Sequence, residues 1–190
     1  MKTFYLNTFF ILLTALSITG CKKNSVISEK QAILFQVEYI NYAWGYTHSG
    51  FIIDSEGNVL KYKNPQNWNY ADKDSNLTQS QIKENISNCI NSGKKIPKEE
   101  LQKYANYIKN ISSSKVTALK NVAADAGSLE YVCYQFFANS GTYKSCLIKM
   151  EGDFTCENLN FYSKKVFMWL KNIYDDLGKK YSANHHLPLK

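Results

Sequence analysis

Leu129-Glu130-Tyr131-Val132-Cys133-Tyr134-Gln135-Phe136-Phe137 and Thr142-Tyr143-Lys144-Ser145-Cys146-Leu147-Ile148-Lys149-Met150 flank the run Ala138-Asn139-Ser140-Gly141. Both arms are rich in aromatic and β-branched residues, while Asn, Ser and Gly are residues that close turns. The stretch reads as a β-hairpin with a four-residue loop. Phe137 then faces Thr142, so facing positions sum to 279 and Cys133 lies opposite Cys146. Facing residues in a ladder have Cα atoms about 4.5–5.5 Å apart, which a disulfide can span. Alternatives are a one-residue register change, which would put the two thiols on opposite faces, or free buried cysteines.

Outward from the hairpin, further strands follow the same signals. Residues 31–42 alternate Ile33, Phe35, Val37 and Tyr39, as a half-buried strand does. Residues 48–54 and 59–63 form a second hairpin around Ser55-Glu56-Gly57-Asn58, with Gly57 supplying a positive φ. Residues 64–75, with Pro65 and many Asn and Asp, read as a loop. Thr78 and Gln81 form a capping box, opening a helix whose inner face is Ile82, Ile86, Cys89 and Ile90 and which Gly93 ends. A second helix begins at Pro97, with Glu99 and Glu100 in its first turn and Leu101, Tyr104, Ile108 and Ile111 as its stripe. Residues 115–122 read as a strand, 151–160 as a loop carrying Cys156, and 161–177 as a last helix. The expected fold is α+β, with a mainly antiparallel sheet of about five to six strands packed with three helices. By elimination Cys89 would pair with Cys156.

The first residues carry an address. Met1-Lys2, the apolar run 4–18 and the small residues before Cys21 have the layout of an export signal. Ile18-Thr19-Gly20-Cys21 resembles the lipobox of bacterial lipoproteins. That resemblance implies a signal peptide at 1–20, diacylglycerol on the Cys21 thiol, and a lipidated tether over 21–30. Two or more acyl chains suffice for stable anchoring. The resemblance also implies residence in the cell envelope, at the outer membrane if the host has one, because Lys22 rather than Asp follows Cys21. The expected organisation is then one globular domain at 31–178 and a loose tail at 179–190.

Composition narrows the partners. All 23 cationic residues are lysines; without Lys2 of the leader, 22 remain against 16 acids, a formal +6. A basic balance attracts anionic surfaces, but with no arginine the bidentate readout of phosphates and base edges is missing. Nucleic acid is therefore not an expected partner. No Cys-x-x-Cys, Gly-x-Ser-x-Gly, His-Glu-x-x-His or phosphate-binding glycine loop occurs. Neither a metal nor a cofactor is expected.

The segment from Ala43 to Asp54 joins Trp44, His48, Gly45, Gly50 and Asp54 within twelve residues. His48 could be a base oriented by a carboxylate such as Asp54 or Asp125. The simpler reading is a packed strand residue, with Asp54 starting a turn and Asp125 serving an Asx-turn. Glu130 and Asp153 are further acids without a diagnostic partner in sequence. His48-x-Gly50 before an apolar strand resembles the histidine strand of papain-like cell-wall hydrolases, but those place a nucleophilic Cys before the His. Here only Cys21 precedes it, so no catalytic residue carries over.

The block from Tyr39 to Val59, the turn Asp125-Ala126-Gly127, and Gly152-Asp153 with Trp169-Leu170 are similar to a group of exported bacterial proteins. The likeness brings no activity with it. Many Tyr, Trp and Asn without a catalytic constellation favour a membrane-anchored, non-enzymatic binding domain for a glycan or protein ligand. A hydrolase of envelope polymers using His48 and a nearby carboxylate, and an inhibitor or immunity-type lipoprotein, are the alternatives.

Overall fold

The alternating segment of residues 33–41 is the centre of a single sheet in a computed structural model that describes residues 26–185, with side chains through Gly178. The segment 1–25, which includes Cys21 and the first half of the expected tether, lies outside the described residues, as do 186–190. The strands are β1 (Ile33–Asn41), β2 (Thr47–Asp54), β3 (Asn58–Lys63), β4 (Asn76–Thr78), β5 (Ile90–Lys95), β6 (Lys120–Asn121), β7 (Ser128–Phe137), β8 (Thr142–Gly152) and β9 (Phe154–Glu157). Their order is β5-β3-β2-β1-β7-β8-β9-β6, with β4 also against β8. The named strands pair antiparallel throughout. The helices are α1 (Gln79–Ser87), α2 (Lys98–Ala105), α3 (Ile108–Ser112) and α4 (Ser163–His185). The second expected helix is thus present but interrupted at Asn106 and Tyr107.

The α+β class stands, but the sheet has nine strands rather than five or six. The three unforeseen strands are short. β4 has three residues and β9 four. β5 reads Ile-Asn-Ser-Gly-Lys-Lys, too polar for an alternation signal. Its strand character comes from pairing with the free edge of β3. α1 accordingly stops at Ser87, capped at Asn88, and Ile90 lies exposed on β5 instead of on an inner helix face. The strand expected at 115–122 shrinks to Lys120–Asn121. The last helix continues beyond Leu177 to His185, so the backbone of 179–185, expected as loose tail, is helical. The capping box at Thr78 and Gln81 is formed on both sides.

Each sheet face has its own buried cluster. Under α2, α3 and α4 lie Phe35, Val37, Phe51, Ile53, Tyr131 and Ile148 with Leu101, Ile111, Val166 and Leu170. Burying such a side chain contributes about 1.5–3 kcal/mol. Trp169 locks this layer: it stacks on Tyr104 at 4.1 Å, meets Phe35 edge-on at 5.2 Å, and donates to Glu100 Oε1 at 2.6 Å. The opposite face buries Ile52, Tyr62, Val132, Tyr134 and Tyr143 against Leu77, Ile82 and Trp68, from β4, α1 and the 64–75 loop. Among the described residues no helix is long and apolar enough to cross a membrane.

The hairpin register is as counted: Cys133 faces Cys146 and Phe137 faces Thr142, with a bulge only beyond Val132. The disulfides are not formed, because Cys89, Cys133, Cys146 and Cys156 are all free thiols. Facing Cα atoms are necessary for a bridge, but the sulfurs must also converge to bonding distance. Here the Cys133 thiol hydrogen-bonds to the Cys146 sulfur, which pushes the Cys133 pKa up and the Cys146 pKa down. Cys89 ends next to β5 and Cys156 lies on β9, toward opposite ends of the strand order. The Cys89 thiol instead donates to Asn85 O at 3.3 Å, and burial pushes its pKa up to about 12.

Candidate functional site

The antiparallel register of β1 and β2 places Ile40 opposite His48 and Glu38 opposite Gly50. Positions 38 and 48 are therefore diagonal neighbours on one face, within reach of long side chains. His48 is fully buried, and its Nε2 lies 2.7 Å from Glu38 Oε1. Gly50 makes room for the arrangement. A Cβ there would sit 2.7 Å from the Tyr62 hydroxyl and 2.0 Å from Val37 O. Glycine is the residue that allows so close an approach.

The hydroxyl admitted by Gly50 belongs to a polar chain. Tyr134 Oη donates to Gln36 Oε1. Gln36 Nε2 donates to the Tyr62 hydroxyl at 3.0 Å and to Glu38 Oε1 at 3.2 Å. Tyr62 in turn donates to Val37 O at 3.3 Å. Burial, with the Glu38 charge beside them, pushes the Tyr62 and Tyr134 pKa values up, so both phenols stay protonated donors. Polar groups held this far from water must be satisfied, and these are. Glu130 faces Glu38 directly across β1 and β7. Burial first, and the Glu38 charge second, push the Glu130 carboxyl up to about 6.

Rings enclose the imidazole. Tyr62 and Trp68 meet it edge-on, each at 5.2 Å, and Tyr70 stacks on it at 5.8 Å with its hydroxyl 3.5 Å from Nδ1. Tyr46 lies at 6.2 Å and reaches the Tyr70 hydroxyl at 3.4 Å. Beyond this lid the turn between β1 and β2 carries Tyr42, 73 % exposed, and Trp44, 86 % exposed, and Tyr42 lies 5.4 Å from Tyr46. Asn41 holds the turn in place. It accepts from Ala43 N at 2.7 Å and donates to Tyr39 Oη and to Asp125 O. Gly45 completes it with φ 99°.

No family model, curated protein or solved structure matches this chain.

The expected partners of His48 are elsewhere. Asp54 sits six residues farther along β2, about 20 Å at strand rise. Its carboxylate accepts from Glu56 N, Asn58 N and Asn58 Nδ2, the role of a turn residue. Asp125 occupies an exposed turn with φ 66°, and Asp153 caps Ala126 N and Gly127 N. The carboxylate that meets His48 is Glu38, which periodicity alone leaves on the solvent side of β1. The signal that finds it is register: in a hairpin summing to 88, Glu38 lies diagonal to His48. Among the described residues no group of three or more His, Cys, Asp or Glu could hold a metal ion.

Proposed function

We propose that this chain is a lipid-anchored binding module of the cell envelope, and that its ligand is a glycan held on the aromatic rim above the Glu38–His48 pair. The observation that carries the reading is the gathering of Tyr42, Trp44, Tyr46 and Tyr70, all exposed, over a rigid polar base. Rings exposed to this degree cost solvation unless a ligand covers them. Flat rings offer an apolar face to the C–H side of a sugar, while hydroxyl and carboxylate groups beside them accept from its O–H groups. The base is rigid because the Gln36, Tyr62 and Tyr134 bonds fix Glu38. The anchor rests on the lipobox resemblance of Ile18 to Cys21.

A hydrolase is the second reading. Two carboxylates on adjacent strands, one with a raised pKa, are the usual pairing for acid–base cleavage of a glycosidic bond. The burial of His48 beneath its rings weighs against a site open to substrate.

Titration of the protein with oligosaccharides released from envelope polysaccharides, followed by tryptophan fluorescence and calorimetry, tests the module. Trp44→Ala should lower affinity at least about tenfold, roughly the loss of one aromatic anchor, with an unchanged unfolding curve. Equal affinity in wild type and variant would remove the rim from recognition. Release of reducing ends during the same incubations would transfer the case to the hydrolase. Replacement of Cys21 by Ala should abolish incorporation of a fatty-acid analogue, and undiminished labelling would end the lipoprotein reading.

A further inference from the structure

The layer of helices carries a second surface, far from the aromatic rim. Lys103 of α2 and Lys164 and Lys165 of α4 stand around a shallow depression floored by Tyr104 and Tyr107. Phe161, 76 % exposed, and Met168 stand on its border, and exposed Leu159 lies two residues before Phe161. The rings beneath are fixed: Tyr107 stacks on Tyr162 at 4.2 Å with an interplanar angle of 7°. The Lys165 ammonium lies 5.1 Å from the Phe161 ring and the Lys103 ammonium 5.4 Å from Tyr104. Among the described residues, none of these three ammoniums is within ion-pair distance of a carboxylate.

Two features make this more than a solvated lysine face. The first turn of α4 holds Lys164 and Lys165 and no acid. Cations at that end oppose the helix macrodipole, so the placement works against the helix itself and concentrates positive potential at the apolar residues. The chain also enters the fold on the same layer. Ile27 joins the cluster under the helices and shares a cleft with Leu101 and Gln102, next to Lys103. Cys21 is six residues earlier, a reach of at most about 20 Å.

We propose that this surface docks on an anionic lipid bilayer, with Lys103, Lys164 and Lys165 on head-group phosphates and Phe161, Leu159 and Met168 in the interfacial layer. The inference rests on the lipid-anchored reading and adds an orientation to it: the helices face the membrane and the aromatic rim faces away. Lysines near an anionic leaflet contribute about 1 kcal/mol each, and side chains of this shape suit the head-group boundary.

Residue-resolved lysine acylation decides it. The full chain is mixed with vesicles of phosphatidylcholine alone, or doped with phosphatidylglycerol, floated, labelled with an acyl ester and mapped by mass spectrometry. Modification of Lys103, Lys164 and Lys165 should fall roughly fivefold or more on the anionic vesicles. Lys73, in the 64–75 loop on the other side of the sheet, should be unchanged. High salt, or the double variant Lys164→Glu with Lys165→Glu, should remove the protection of Lys103. Equal modification on both vesicle types overturns the proposal, as does protection reproduced by a soluble polyanion without vesicles. Flotation with anionic vesicles alone would support the surface and break the anchor reading, whereas flotation with neither would overturn both.

Discussion

Phe35 and Gln36 are neighbours on β1 and both are buried, yet they enter different kinds of interior. Phe35 belongs to a face closed by helices, where contacts are apolar and the polar groups of Trp169 and Glu100 satisfy each other at the margin. Gln36 belongs to a face where Glu38, His48, Tyr62 and Tyr134 form a continuous hydrogen-bonded chain under aromatic rings. Strand alternation alone produces the division. The first face would hold a sheet together in any protein. On the second, the half-buried Glu38 carboxylate and the fully buried His48 imidazole satisfy each other at 2.7 Å, an arrangement that an apolar set of similar volume often matches in stability.

The contrast can be broken by substitution. Phe35→Ala should cost about 3–5 kcal/mol, the usual loss for a large ring in a packed core, read as a lower urea midpoint with unchanged slope. A loss under about 1 kcal/mol would mean the helical face is not the main source of stability. On the other face, His48→Phe keeps a ring among rings and removes the bond to Glu38 together with the longer contact to the Tyr70 hydroxyl. A loss of about 1.5–3 kcal/mol is expected for a charge-assisted bond, and a gain in stability would show the pair to be maintained against the fold.

Glu130 sharpens the comparison through pH. Its folded pKa is raised from 4.5 to about 6, so the folded chain binds this proton more tightly than the unfolded chain. The stabilisation is present in full below the unfolded value and is lost as pH rises through about 6. Relative to Glu130→Gln, wild type should therefore lose up to about 2 kcal/mol across that window. Parallel pH–stability curves for the two proteins would place the carboxyl in ordinary solvent. The smallest effect belongs to Tyr131, whose buried hydroxyl has no hydrogen-bond partner among the described residues. Tyr131→Phe should be neutral or stabilising by at most about 1 kcal/mol, and a clear loss would reveal a partner for that oxygen.

Legibility in the sequence followed the strength of periodicity. β1, β2, β3 and the β7–β8 hairpin were readable from alternation and turn residues, down to the opposition of Cys133 and Cys146. β4, β5 and β9 were not, because a strand that exists by completing a neighbour's edge needs no pattern of its own. The bridge failed because register sets Cα spacing and leaves sulfur geometry free. In the candidate site His48 was visible as a residue, but its partner was not. Asp54 is near it only along the chain and Asp125 is remote even there, whereas Glu38 becomes adjacent once the hairpin is folded. Glu130 required one pairing more, that of β1 with β7.

The ends of the strand order have a bearing on how the molecule tolerates company. A sheet this wide is normally open to growth by addition of a foreign strand along an unpaired edge. Here one terminus is β5, irregular in register and bearing Lys94 and Lys95, with Lys94 tied to Asp176 at 3.0 Å. The other is β6, only two residues long. An approaching chain meets charge on one side and almost no backbone template on the other. Copies of this protein at high concentration would find little at either end of the strand order on which to extend the sheet.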